Sequence, residues 1–178
     1  MNPDSPLRRL TWLLVVTSLL YAFPSHADDT ATAQRLFDEA KALRKAGKWE
    51  QACAKFEASL ALDASVGTYL NVAKCQERKG QIASALSNYE HALAKSRSLD
   101  DDAHQQAVQK YAASKMTAIK PRVPQLRIVI EPRPRDLVIE RNGVTVPLGA
   151  LGHRLYVDPG PHHVVARAQH FEPAEETI

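Results

Sequence analysis

The chain has 178 residues, 44% of them hydrophobic and 24% charged, with a formal net charge of +3. That length accommodates one domain or two small ones, and the composition is that of a globular protein, not a disordered one. So small a cationic surplus supplies no case for nucleic acid, which wants a clustered basic face.

Arg8 and Arg9 precede an apolar run from Leu10 to Phe23, Pro24 breaks it, and Ser25-His26-Ala27 offers small residues where a signal peptidase reads. That order is the order of a secretory signal, and the run is short for a membrane span. The leader is expected to cover residues 1–27 and the mature chain to begin at Asp28; the alternative is an uncleaved anchor. No cysteine follows the run to carry a lipid. The expected location is exported, in the periplasm or cell envelope, with no transmembrane segment in the mature chain. Removing Asp4, Arg8 and Arg9 takes the 23 basic and 20 acidic residues to 21 and 19, a nearly balanced protein.

Proline marks the next boundary. All 11 prolines lie before residue 25 or after residue 120, and no lysine follows Lys120. Proline costs about 3 kcal/mol inside a helix, so the proline-free stretch permits long helices. Pro121 and Pro124 end them, because the residue before a proline is pushed out of helical torsions. The expected fold is α+β, with a helical domain over residues 28–120 and a β domain over residues 121–178.

The helical stretch repeats itself at a shift of 33 residues. Leu36 falls on Tyr69, Ala40 on Ala73, Gly47 on Gly80, Trp49 on Ile82, Ala52 on Ala85, Phe56 on Tyr89 and Leu60 on Leu93. Small residues meet small and large meet large, which is the signature of a structural repeat. Leu36, Ala40 and Leu43 share one helical face; Ala52, Phe56, Ser59 and Leu60 share another. Gly47 and Gly80 sit where a helix end needs a left-handed residue. Each unit therefore reads as a helix, a glycine turn and a second helix.

At Leu36, Ala40, Gly47, Ala52, Phe56 and Ser59-Leu60, and again at Tyr69, Ala73, Gly80, Ala85, Tyr89 and Ala92-Leu93, the chain resembles the tetratricopeptide repeat family. The resemblance covers about Thr30 to Ser96; the family's closing proline is absent, with Asp63-Ala64 in its place. A third helix is expected after Asp100-Asp101-Asp102, which supply capping groups and favourable charge. Val108, Tyr111, Ala112, Met116 and Ile119 then recur at helical spacing, as a cap on the second hairpin.

The last third alternates as strands do. Leu126 to Glu131 reads as one strand, and Leu137 to Arg141 with Val144 to Val146 as a hairpin around Asn142-Gly143. Arg154 to Val157 and His163 to Ala168 read as a second hairpin or strand pair around Asp158-Pro-Gly-Pro161. The sum is a five- or six-stranded antiparallel unit. The Asn-Gly-Val stretch and the Val157 to His162 turn look like the small β module called PEGA, with a departure at His170-Phe171, where glycine followed by an aromatic is expected. Helical repeats leading into such a module after a signal peptide resemble exported envelope proteins of myxobacteria-like organisms.

Signals for chemistry are sparse. His153, His162, His163 and His170 with Asp158 suggest a metal site, but neighbouring strand residues point to opposite faces, and no HExxH, H-x-H or CxxC occurs. Surface histidines are the expected reading, with no metal and no cofactor. There is no G-x-S-x-G elbow and no glycine-rich phosphate loop, so a non-enzymatic protein is expected. Cys53 and Cys75 stand about eleven residues either side of the turn between repeats. Eleven residues is close to three helical turns, which puts both cysteines at one height on facing helices. A disulfide there closes a loop of about twenty residues and contributes roughly 3 kcal/mol; the alternative is two buried free thiols.

The family resemblance implies a groove lined by first-helix positions: Phe37, Lys41, Arg44 and Lys45, then Leu70, Asn71, Lys74 and Arg78. Five of these eight are cationic and none is acidic. Asn71 matches a position of the family's carboxylate clamp, whereas Phe37 stands where that clamp has lysine. The expected function is a scaffold holding a protein or acidic peptide in the envelope, with the β module extending or anchoring it. The alternatives are a solvated lysine-rich face, a structural protein whose β module binds envelope polymer, and a small-ligand or metal carrier.

Overall fold

Five helices fill the proline-free stretch: α1 (His26–Lys45), α2 (Trp49–Leu62), α3 (Val66–Arg78), α4 (Ile82–Ser96) and α5 (Asp102–Ile119). They belong to a computed structural model that describes residues 26–178. The expected leader lies outside the described residues except for His26 and Ala27, where α1 begins. A 3-10 turn, Lys120–Arg122, closes the helical part at Pro121. Six short strands follow: β1 (Gln125–Leu126), β2 (Val138–Arg141), β3 (Val144–Thr145), β4 (Leu155–Tyr156), β5 (His163–Arg167) and β6 (Ala174–Thr177). The layout is α+β, helices first.

The two helical hairpins are copies down to their hydrogen bonds. Gly47 and Gly80 take φ of 75° and 76°, the left-handed conformation that glycine reaches without steric cost. At the first, Lys48 N donates to Leu43 O at 2.9 Å and Gly47 N to Arg44 O at 3.1 Å. At the second, 33 residues on, Gln81 N donates to Gln76 O and Gly80 N to Glu77 O at those same distances. This pair of bonds satisfies the carbonyls a helix end leaves free.

Ala40, Ala52 and Phe56 in the first hairpin, and Ala73, Ala85 and Tyr89 in the second, are all fully buried. Alanine at a helix crossing brings backbones close, and one aromatic per unit fills the space beside it. Burial, followed by its hydrogen bond to Glu77, raises the Tyr89 hydroxyl well above its ordinary range. That hydroxyl stays protonated and donates to the carboxylate. Cys53 on α2 and Cys75 on α3 form a disulfide across the two hairpins, with 5.6 Å between their Cα atoms. Asp101 caps α5, accepting from Ala103 N and His104 N at 3.0 and 3.1 Å. Val108, Ala112 and Ile119 then form the buried stripe of that helix.

The strands make a four-stranded antiparallel sheet in the order β3-β2-β5-β6 and a two-stranded pair, β1 with β4. The Asn142-Gly143 hairpin forms as its sequence predicts, with φ of 52° and 76°. Two expectations are corrected. The strand beginning near Leu126 keeps its ladder only to that residue, because the facing chain turns away at Gly152, whose φ is 80°. Beyond it, Ile128 O accepts a single bond from Gly152 N at 2.8 Å. The segments around Arg154 and His163 do not pair with each other: β4 joins β1, whereas β5 lies between β2 and β6. Pro159 and Pro161 bring no N–H to a ladder, and the intervening turn serves another contact, described below. Leu126, Ile128, Leu137, Ile139, Val146, Leu151, Val157 and Val164 form the core of this module. His170, where glycine is expected, takes φ of 63°, a conformation that costs a side chain about 1–2 kcal/mol.

Phe56→Ala or Tyr89→Ala removes a fully buried aromatic and is expected to cost about 3–5 kcal/mol; a melting temperature within a degree or two of wild type would contradict the repeat register. Alkylation before and after reduction, read by mass spectrometry, is expected to find no free thiol in protein made under oxidising conditions. Cys53→Ser with Cys75→Ser is expected to lower stability by about 2–4 kcal/mol.

Candidate functional site

The first helices of the units meet through long side chains. α1 reaches α3 where Arg44 donates to Asn71 Oδ1, and where the Phe37 ring lies against Gly67. A Cβ on Gly67 would come 3.2 Å from that ring, so the glycine is what admits Phe37. α3 reaches α5 twice: Lys74 Nζ sits 4.9 Å from the centre of the Tyr111 ring, and Lys115 Nζ lies 3.2 Å from Glu77. One surface, carried by α1, α3 and α5, is thereby tied together by cations, amides and rings.

The eight expected groove residues divide on it. Phe37 packs edge-on against Phe56 with 5.5 Å between centroids, and Lys41 Nζ lies 5.3 Å over Phe37. Lys41 also pairs with Asp38 at 3.3 Å. Hydrogen bonds from Gln34 and then Lys41 lower the Asp38 carboxyl below its ordinary range. Arg44 lies 5.9 Å over Phe56 as well as on Asn71. Asn71 is buried, and its Nδ2 donates to Gly67 O at 2.8 Å, so it positions Arg44 from below. Lys45 is exposed. Leu70 is half-buried and packs into the second core cluster. Arg78 stacks over Trp49 of α2 at 4.3 Å, away from the Lys74–Tyr111 contact. Phe37, Lys41, Arg44 and Asn71 thus form one group, Lys74 with Tyr111 another, and Arg78 flanks the α2–α3 junction.

Charge is distributed unevenly. On other helix faces some lysines meet carboxylates, as Lys55 with Glu39 at 2.7 Å and Lys79 with Glu57 at 2.9 Å, whereas others such as Lys95 and Lys110 have no such pair among the described residues. Among the described residues, Arg44, Lys45, Lys74 and Arg78 have no carboxylate partner; three of the four rest on aromatic rings. A cation over a ring gains about 0.5–1 kcal/mol at an exposed site and keeps its charge. The aromatic partners Trp49, Phe56 and Tyr111 are absent from the expected groove set, because residue spacing on one helix does not reveal a ring contributed by another.

A second polar centre joins the two modules. α4 has Gln81 at its N-cap with no side-chain hydrogen bond of its own. Asp158, from the turn after β4, supplies the cap. Its Oδ1 accepts from Ala83 N at 2.8 Å and Ser84 N at 2.9 Å, while Oδ2 accepts from the Ser84 hydroxyl. These are the amides an N-cap side chain ordinarily serves, here reached from 74 residues away. His162 Nε2 lies 2.8 Å from Asp158 O, and Asn142 links His162 Nδ1 to the His163 amide. The His162 ring therefore braces the turn. Among the described residues, no three of His, Cys, Asp and Glu come together as a metal site, and no helix is long and apolar enough to cross a membrane.

Comparison with family models, with curated proteins and with solved structures finds no match to this chain.

Asp158→Ala leaves the α4 N-terminus without a cap and is expected to cost about 1–2 kcal/mol. Amide exchange at Ala83 and Ser84 is expected to accelerate in this variant, and Asp158→Asn, which keeps one acceptor, is expected to recover part of the loss. Unchanged exchange at those two amides would contradict the joint.

Proposed function

We propose that the protein is an exported, non-enzymatic scaffold of the tetratricopeptide type, whose first-helix surface binds an acidic, partly apolar peptide in the cell envelope. The observation that carries this reading is the set of cations on α1 and α3 that no carboxylate neutralises among the described residues, three of them resting on rings. Phe37 supplies apolar surface among them, half-buried and covering Gly67. Cations fixed over rings next to an apolar contact suit carboxylates carried on an extended chain, and such charge complementarity governs encounter and specificity. Arg44, Lys45 and Lys74 are the residues assigned to the ligand, with Lys41 beside Phe37 and Asn71 holding Arg44 in place. The β domain, of the PEGA type in this reading, is the part that extends the surface or anchors it in the envelope. Its docking on α4 through Asp158 makes the intact chain, and not the helical half alone, the unit to test.

A labelled peptide alternating leucine with aspartate is the probe. Lys41→Glu combined with Lys74→Glu is expected to weaken its binding at least about tenfold, since like charges now face the ligand. The melting temperature should fall by only a few degrees, because the Lys41–Asp38 pair and the Lys74–Tyr111 contact contribute about 0–1 kcal/mol each. Raising the salt concentration should weaken wild-type binding in parallel. Binding that is equal in the double variant, or insensitive to salt, would sink the groove assignment.

A further inference from the structure

Where the turn after β4 meets α4, the two modules enclose a polar pocket of about 450 Å³. Gln81, Ser84 and Ser87 line it from the helical side; Arg141, Tyr156 and the turn from Asp158 to His162 line it from the β domain. That volume lies within the range of about 300–1,000 Å³ that small-molecule sites occupy. Hydrogen bonds already described hold its walls. Asp158 is committed to Ala83 N, Ser84 N and the Ser84 hydroxyl, and His162 to Asp158 O and Asn142.

Four other polar side chains of the pocket are uncommitted. Among the described residues, Gln81, Ser87, Arg141 and Tyr156 make no side-chain hydrogen bond or ion pair. Arg141 is the most telling of them. Strand side chains alternate between faces, so Arg141 shares the face of buried Ile139, and it is itself half-buried. Its guanidinium keeps its charge and offers five donors. Tyr156, 42% exposed, presents an apolar ring with a hydroxyl tip. Gln81 and Ser87 are exposed and add an amide and a hydroxyl from the opposite wall. Asp158 is the one carboxylate among the lining residues, and its oxygens face the start of α4, whose partial positive charge offsets it. The charge left for a ligand is that of Arg141.

We propose that this pocket binds a monosaccharide bearing one carboxylate, a sugar acid, at the joint between the modules. Arg141 pairs with a planar carboxylate through two parallel N–H bonds. The Tyr156 ring covers the apolar face of the sugar, and Gln81 and Ser87 meet its hydroxyls, which both donate and accept. An apolar ligand is disfavoured, because it would strip water from Arg141 and replace none of its hydrogen bonds. A phosphorylated sugar, with close to two negative charges, would exceed the single cation and oppose Asp158. Because the walls belong to both modules, the bound sugar bridges them and stabilises the Asp158 joint. The site is separate from the α1–α3 surface and independent of the acidic-peptide reading.

The test is calorimetric titration of the full chain with galacturonate, with galactose and acetate as controls. Galacturonate is expected to bind saturably and at least about tenfold tighter than either control. Amide exchange at Ala83 and Ser84 should slow in its presence. Arg141→Gln is expected to weaken binding at least about tenfold, with partial recovery in Arg141→Lys, which keeps the charge and loses the fork. Ser87→Trp, at an exposed helix position, fills the pocket without touching its framework and is expected to block binding while the melting temperature is kept. Lys41→Glu with Lys74→Glu is expected to leave galacturonate affinity unchanged, which separates this site from the peptide surface. No saturable binding of galacturonate, equal binding of galactose or acetate, or binding that survives Arg141→Gln or Ser87→Trp would overturn the proposal.

Discussion

Close approach of helix backbones at alanine is the constraint on which the rest of this structure depends. Ala40 and Ala52 in one hairpin, and Ala73 and Ala85 in the next, are fully buried, and anything larger would push the helices apart. Phe56 and Tyr89 fill the space those small residues leave open. With the hairpins held so tightly, α2 and α3 come near enough for Cys53 and Cys75 to be joined. The same approach brings α1 to α3 and α3 to α5, so that Arg44 meets Asn71 and Lys74 meets Tyr111. An array of two hairpins and one further helix is short for a repeat fold. The cross-link and the Tyr89–Glu77–Lys115 cluster, which spans α4, α3 and α5, supply connections that longer arrays draw from additional units.

The electrostatics of the helical surface follow from this arrangement. Outer faces carry short ion pairs such as Lys55–Glu39 and Lys79–Glu57, which in water contribute little. On α1 and α3 the cations instead lean on rings contributed by other helices. A ring holds a cation in one place and does not neutralise it, which combines fixed geometry with an unspent positive field. That combination motivates the acidic-peptide reading, and it exists only because the alanine crossings set the rings beneath the cations.

The β domain is tied to the helices through one carboxylate. Helix N-termini carry unsatisfied N–H groups and partial positive charge, and α4 brings no side chain of its own to meet them. Asp158 meets both needs from a turn that two prolines keep out of the sheet. The consequence reaches the strand order: because that turn faces α4, β4 leaves β5 and pairs with β1. The four-stranded sheet runs β3-β2-β5-β6 as a separate unit from that pair.

Much of this was written locally in the sequence. The shift of 33 residues located both hairpins, because repeated packing demands repeated side-chain size, and the two glycines marked turns that need positive φ. Asp101 announced α5, Asn142-Gly143 its hairpin, and the spacing of Cys53 and Cys75 their pairing, since each depends on near neighbours or on helical rise alone. What depended on distant partners could not be read in that way. No pattern around Asp158 points to the amides of Ala83 and Ser84, and the alternation near Arg154 and His163 suits a hairpin as well as it suits strands bound elsewhere. Likewise, eight groove positions could be placed on two helices. Whether each faces solvent, a ring or the core, as Lys45, Arg78 and Leu70 respectively illustrate, was decided by residues on other helices. Periodicity fixes which face of an element is apolar; only the packed structure fixes what that face, and the cations beside it, are set against.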